Sequence, residues 1–231
     1  MKQIALDIAP APAPTLQGFV PGSNLEAVQF LAAWCAAGAH RSPMPVYLWG
    51  ETGSGKTHLL QAARHSLAER GEPAGWLTPD TPADTAFDPA WRAVLMDDVH
   101  LLSAPQQHLA FTWFIHAATP ADGAAPRAVL AAGRLPPTDL PLREDLRTRL
   151  GWGHVFQLHP LAEGERRALL KQAAHERGIE LGEGVTDYVL NHFARDLGSL
   201  MRLLDRLDRY SLQTHRAVTT ALIRSMLQAG E

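Results

Sequence analysis

The residues best suited to chemistry lie in one octapeptide, Gly50-Glu51-Thr52-Gly53-Ser54-Gly55-Lys56-Thr57, which satisfies the pattern G-x-x-x-x-G-K-[ST]. Glycines at 50, 53 and 55 let backbone N–H groups, including those of Thr52 and Ser54, turn inward around anionic oxygens. A helix starting just after the loop would add the partial positive charge of its N-terminus. Lys56 would reach the β and γ phosphates of a nucleotide, and the Thr57 hydroxyl would ligate Mg²⁺. Lysine is scarce in this chain, occurring only at 2, 56 and 171, so its position in this loop is a specific signal. A second pair, Asp97 and Asp98, closes the apolar run Val94-Leu95-Met96. Asp97 at the end of that strand is placed to hold Mg²⁺ through water, and Asp98 to orient or deprotonate an attacking water. Adjacent carboxylates ending a buried strand are costly unless a cation or hydrogen-bond donors compensate.

Strands and helices in alternation must position these groups. Short apolar runs at 46–50, 74–77, 93–96, 128–132 and 154–158 predict strands. Helical patterns fall at about 24–38, 57–70, 105–117 and 141–149. That alternation predicts an α/β fold, a parallel sheet flanked by helices. Beyond Pro160 only helical patterns follow, at about 163–177, 185–194, 199–213 and 217–229, which predicts a small all-helical lid. The expected organisation is a tail and linker over 1–15, an α/β nucleotide-binding subdomain over 16–160, and the lid over 161–231.

Composition narrows the function classes. The chain has 231 residues, 46% hydrophobic and 19% charged, enough to bury a core as one domain with a small lid. A formal net charge of −3 offers no excess of positive charge to a duplex backbone, so any DNA role is local or indirect. The single cysteine, Cys35, excludes an internal disulfide and suits a reducing compartment. Its simplest role is that of a small buried apolar residue. The N-terminus lacks the apolar run of a signal peptide, and no stretch approaches the roughly 18 apolar residues that span a bilayer, which predicts a cytoplasmic protein with no membrane role. The eleven histidines show no metal-ligand spacing. The arginines at 195, 202, 206, 209 and 216 interleave with Asp196, Asp205 and Asp208, the last helices thus reading as exposed faces laced with i,i+4 pairs such as Asp205 with Arg209.

With the loop and the double aspartate in place, the chain resembles the DnaA-type AAA+ ATPases and, within them, the Hda group of regulatory inactivators of DnaA. The resemblance covers nearly the whole chain. Phe19-Val20-Pro21-Gly22-Ser23-Asn24 is similar to the segment that packs on adenine in this family, and the loop continues through His58 into Leu59-Leu60. Leu146-Arg147-Thr148-Arg149-Leu150-Gly151-Trp152-Gly153 resembles the family's box VII, which implies an arginine-finger role for Arg149, exerted on the ATP of a partner. Gln3-Ile4-Ala5-Leu6-Asp7-Ile8 is similar to the hexapeptide by which Hda and other replication proteins bind the DNA polymerase III β sliding clamp. Gln3 can make amide hydrogen bonds, and Leu6 and Ile8 are apolar anchors for a pocket. The alternating Ala-Pro run at 9–14 would hold that tail away from the body.

What the resemblance implies is a regulator of DNA replication initiation that binds ADP or ATP with Mg²⁺, docks on the sliding clamp, meets DNA only through it, and promotes hydrolysis of DnaA-bound ATP. Two departures imply slow hydrolysis by the chain itself. Gly133 stands at the family's polar sensor 1 position, and Gly198 at the sensor 2 arginine, with Arg195 and Arg202 as alternative substitutes. Two rival functions remain open at this point: an autonomous AAA+ ATPase that assembles on itself as a homo-oligomer and acts as a loader or remodelling factor, and a non-catalytic adaptor in which nucleotide is structural.

Overall fold

The computed structural model describes residues 13–120, 123–193, 197–214 and 218–228. The tail residues Gln3, Leu6 and Ile8, and Arg195 and Arg216, lie outside them. The chain divides into two compact units, the first running to Pro160 and the second from Leu161.

The first unit is built on five parallel strands, β1 Val46–Trp49, β2 Ala74–Leu77, β3 Ala93–Met96, β4 Ala128–Gly133 and β5 His154–Gln157, in the order β2-β3-β4-β1-β5. The strands fall on the apolar runs for a physical reason. In a strand covered on both faces, successive side chains enter opposite cores, so every position is apolar. Val46, Leu48, Ala93, Leu95, Leu130 and Ala132 face one layer, where they meet Leu31 and Trp34 of α1 Leu25–Ala36 and Leu59, Ala63 and Leu67 of α2 Lys56–Glu69. Their neighbours Tyr47, Val94, Met96, Val129 and Ala131 face the other layer, against Leu109, Trp113 and Phe114 of α3 Ala104–Ala118 and Leu146 and Leu150 of α4 Glu144–Leu150. Cys35 is buried in the first layer, and loss of water pushes its thiol up to about 11.

The expected helix at 141–149 is shorter than its pattern. Leu140 and Leu142 are buried from an irregular segment, and Arg143 is extended, with ψ 142°. The Leu142 N–H donates back to the Leu140 carbonyl at 2.8 Å in a tight turn, and Arg143 is held extended by Gln107 and Asp145, so α4 begins only at Glu144.

The second unit contains four helices among its described residues: α5 Glu163–Glu176, α6 Glu183–His192, α7 Leu197–Thr214 and α8 Thr220–Gln228. Leu200, Leu203, Leu204 and Leu207 of α7 recur at i, i+3, i+4 and i+7, and pack with Leu170, Val189, Leu222, Ile223 and Met226. The anticipated Asp205–Arg209 pair is replaced: Arg177, at the end of α5, donates to Asp205 Oδ1 at 2.9 and 3.0 Å. Arg209 instead reaches the Asp205 carbonyl at 3.3 Å. A contact between two helices has displaced one along a single helix. No helix among the described residues is long and apolar enough to cross a membrane.

Candidate functional site

The sheet order places β4 between β1, which feeds the glycine loop, and β3, which ends in the two aspartates. The carboxyl ends of three parallel strands therefore converge on one crevice, where open α/β sheets bind ligands. Gly50 leaves β1 at φ 153°, and a Cβ there would lie 2.1 Å from the Leu158 carbonyl oxygen. Gly55 is left-handed at φ 91° just before α2, and a Cβ would stand 2.4 Å from the Phe19 ring. Glycine is dictated at both positions by close backbone or ring approach. Thr52 and Gly53 form the exposed crown of the loop, whereas Ser54 is buried.

Lys56 turns back into this cradle. Its Nζ donates to the carbonyl oxygens of Gly50 and Glu51, each at 2.8 Å, and to Ser54 Oγ at 3.3 Å. Burial lowers its pKa, against the opposing pull of Asp98 and Asp97. Asp97 is almost fully buried, and loss of water raises its carboxyl; hydrogen bonds from the Thr57 side chain and the Asp98 backbone work the other way. Asp98 is the one non-glycine residue with positive φ among the described residues, at φ 47°. That strained conformation turns its carboxylate into the half-exposed crevice.

These groups fit a nucleotide with Mg²⁺. A buried carboxylate beside a threonine hydroxyl at a helix start is a hard-oxygen pair suited to a divalent cation, and a buried lysine beside a glycine cradle is suited to an anion. Thr57 and Asp97 would hold the metal, and Lys56 with the N–H groups of residues 52–57 would hold the phosphates. When bound, Mg²⁺ would neutralise charge on the phosphoryl oxygens.

Phe19 packs over Gly55 and tilts against His58 at 5.5 Å between ring centroids, while His58 Nε2 lies 3.3 Å from the Thr15 carbonyl oxygen. Half-buried Val20 follows. Asn24 fixes this segment: its amide donates to the His159 carbonyl and accepts from the His159 N–H, both at 2.8 Å. That two-bond staple was not read from the sequence, and nothing local signals it, because its halves are remote in the chain.

Two further residues at the crevice also went unread. Tyr47 is fully buried, and its hydroxyl donates to the Leu135 carbonyl at 2.7 Å. A Cβ on Gly133 would lie 2.3 Å from that hydroxyl and 3.1 Å from Val99, so the tyrosine occupies the space that a side chain at 133 would need. Gly133→Ala is expected to destabilise the fold by about 1–3 kcal/mol through overpacking, and by under about 1 kcal/mol in a Tyr47→Phe background. Urea unfolding of the four-member cycle measures this; equal penalties in both backgrounds would contradict it. His100 lies 4.0 Å from Asp98, but burial and the cations Lys56 and Arg134 lower its pKa more than Asp98 raises it. The contact is therefore to a neutral ring at pH 7 and is no ion pair.

Arg149 occupies a different place, a cleft of about 560 Å³ lined by Arg143, Glu144, Asp145, Thr148, Arg149 and Trp152. Its guanidinium lies 5.5 Å from the Phe111 ring, 5.8 Å from Phe114 and 5.4 Å from Trp152, and Trp152 is 61% exposed. No phosphate-loop residue lines this cleft.

A five-stranded parallel sheet in this order, a glycine loop between strand and helix, paired aspartates ending the strand two places away and a helical C-terminal region define a P-loop module of the AAA+ class. The family described as bacterial DnaA ATPase domain matches residues 12–74, and that described as Hda, lid domain, matches residues 163–227. The chain is thus similar to one family in its N-terminal part and to the other in its C-terminal part, within a fold of the AAA+ class. Solved structures share the fold. Domain III of the Thermotoga maritima replication initiation protein DnaA matches with a TM-score of 0.71 at 21% identity, over 95% of this chain and 98% of that one. AMPPCP-bound DnaA from Aquifex aeolicus matches with a TM-score of 0.66 at 23% identity, over 84% and 65%. The Thermotoga maritima RuvB Holliday junction branch migration motor matches at 0.64 and 17%, over 94% and 72%.

Proposed function

We propose that this replication-initiation-related AAA+ protein is a negative regulator that binds ADP or ATP and promotes hydrolysis of ATP held by DnaA. The observation that carries the reading is the placement of Arg149. It is a charged guanidinium in an open cleft that includes none of the chain's own phosphate-loop residues, which suits a cation offered to the nucleotide of another molecule. The match to the Hda lid family supports the same reading. Phosphoryl transfer spreads negative charge over the equatorial oxygens of the transferring group, and an arginine supplied by a second protein stabilises it there.

In this reading residues 1–15 form a tail and linker, the tail anchoring the protein on the sliding clamp through Gln3, Leu6 and Ile8. The nucleotide subdomain over 16–160 holds ADP or ATP with Mg²⁺, and residues 161–231 form the lid. Phe19, Val20 and His58 cover the adenine side, and Gly50, Thr52, Gly53, Ser54, Gly55, Lys56 and Thr57 cradle the phosphates. Intrinsic hydrolysis is slow, since the sensor 1 space holds the Tyr47 phenol. The protein works in the cytoplasm. Removal of residues 1–8 is expected to abolish binding to immobilised sliding clamp and to leave ADP affinity unchanged. Clamp binding that survives the truncation would rule out the anchor.

A second reading, an autonomous ATPase, is favoured by the complete loop and by Asp98 turned into the crevice. Fast hydrolysis by the purified protein without DnaA, lost in Lys56→Ala, would select it.

A further inference from the structure

Asp145 and Arg149 stand four residues apart on α4, the spacing at which a carboxylate N-terminal to a cation forms a side-chain pair along a helix. They do not pair. Arg143, from the extended residue ahead of the helix, closes on Asp145 with both prongs of its fork, Nε to Oδ1 at 2.7 Å and Nη2 to Oδ2 at 2.8 Å. Three other groups hold Arg143 in that position. Its backbone N–H donates to Gln107 Oε1 at 2.9 Å, its Nη1 lies 3.1 Å from His108 Nδ1, and its guanidinium stacks 4.8 Å from the Phe111 ring. The other side of the cage is thereby left to Arg149, which meets rings only. Among the described residues, no hydrogen bond or ion pair takes up its guanidinium.

We propose that Arg143 is a positioning residue that sequesters the Asp145 carboxylate and so keeps Arg149 unpaired for a phosphoryl group of the partner's nucleotide. The inference rests on the proposed role of Arg149. An ion pair would neutralise that side chain and put a carboxylate where a phosphate has to sit, and the carboxylate would repel it. Aromatic faces hold a guanidinium through the ring quadrupole and leave its N–H donors free. The bidentate Arg143–Asp145 geometry is the stronger of the two competing pairs, because it uses two parallel charge-assisted bonds.

The test compares Arg143→Ala, Asp145→Asn, the double variant and Arg149→Ala in stimulation of DnaA-bound ATP hydrolysis, alongside a crystal structure of Arg143→Ala. Arg143→Ala is expected to lower stimulation roughly twofold to fivefold, the scale of one exposed ion pair. Asp145→Asn in the Arg143→Ala background is expected to restore it, since the amide cannot bind Arg149 as a charge. ADP affinity should be unchanged throughout. The Arg143→Ala structure is expected to show Asp145 within ion-pair distance of Arg149. Stimulation equal to wild type in Arg143→Ala, no rescue in the double variant, or Asp145 still apart from Arg149 in that structure would overturn the proposal. Full stimulation by Arg149→Ala would overturn the finger role itself, whereas the crystal structure decides the pairing with no partner present.

Discussion

Arg149→Ala is expected to remove stimulation of DnaA-bound ATP hydrolysis by roughly 10³- to 10⁵-fold, the span that an arginine supplied in trans contributes to phosphoryl transfer. The effect should be confined to that step. Arg149 takes no part in the phosphate loop, and α4 is anchored by buried Leu146 and Leu150 rather than by this side chain. Its contacts with Phe111, Phe114 and Trp152 are cation–π contacts at a partly exposed site, each worth about 0.5–1 kcal/mol. The variant should therefore stay folded and bind ADP with wild-type affinity in calorimetry. Arg149→Lys should recover little, since an ammonium lacks the planar fork that meets two phosphoryl oxygens at once. Wild-type stimulation by the alanine variant would show that the cation acts elsewhere or not at all.

Lys56→Ala is expected to weaken both ADP and ATP by about 2–5 kcal/mol, roughly 30-fold to several thousandfold, as removal of one partner from a buried charge-assisted contact does. Two losses combine. The phosphate tail loses its buried cation, and the loop loses a brace, because Lys56 bridges the carbonyls of Gly50 and Glu51 and the Ser54 hydroxyl. Isothermal titration with Mg²⁺ measures the affinities, and Lys56→Arg should not rescue them, since the buried cradle is fitted to a compact ammonium. Affinity within twofold of wild type in the alanine variant would deny Lys56 its place on the phosphates.

The central sheet was legible in the sequence because strands buried on both faces leave continuous apolar runs, such as Ala93–Met96, between breaks. The loop was legible because its chemistry demands glycine and lysine at fixed spacing. What could not be read depends on partners brought together by the fold. Gly133 reads as a missing sensor, yet its reason is the phenol of Tyr47, one strand away in the sheet. Arg149 reads as a motif position, whereas the cage around it draws Phe111 and Phe114 from α3. The i,i+4 rule alone pairs Asp145 with Arg149 and Asp205 with Arg209, and in both cases an arginine from outside the helix takes the carboxylate. Local spacing proposes such pairs, and tertiary geometry chooses between them.

The most direct test of the account is single-turnover hydrolysis of ATP bound to DnaA, followed in the presence of sliding clamp loaded on DNA, with and without this protein. The account predicts that hydrolysis accelerates when the protein is added and that acceleration needs both the clamp and an intact Arg149. An unchanged rate of hydrolysis on DnaA, at protein concentrations that saturate the loaded clamp, would contradict it.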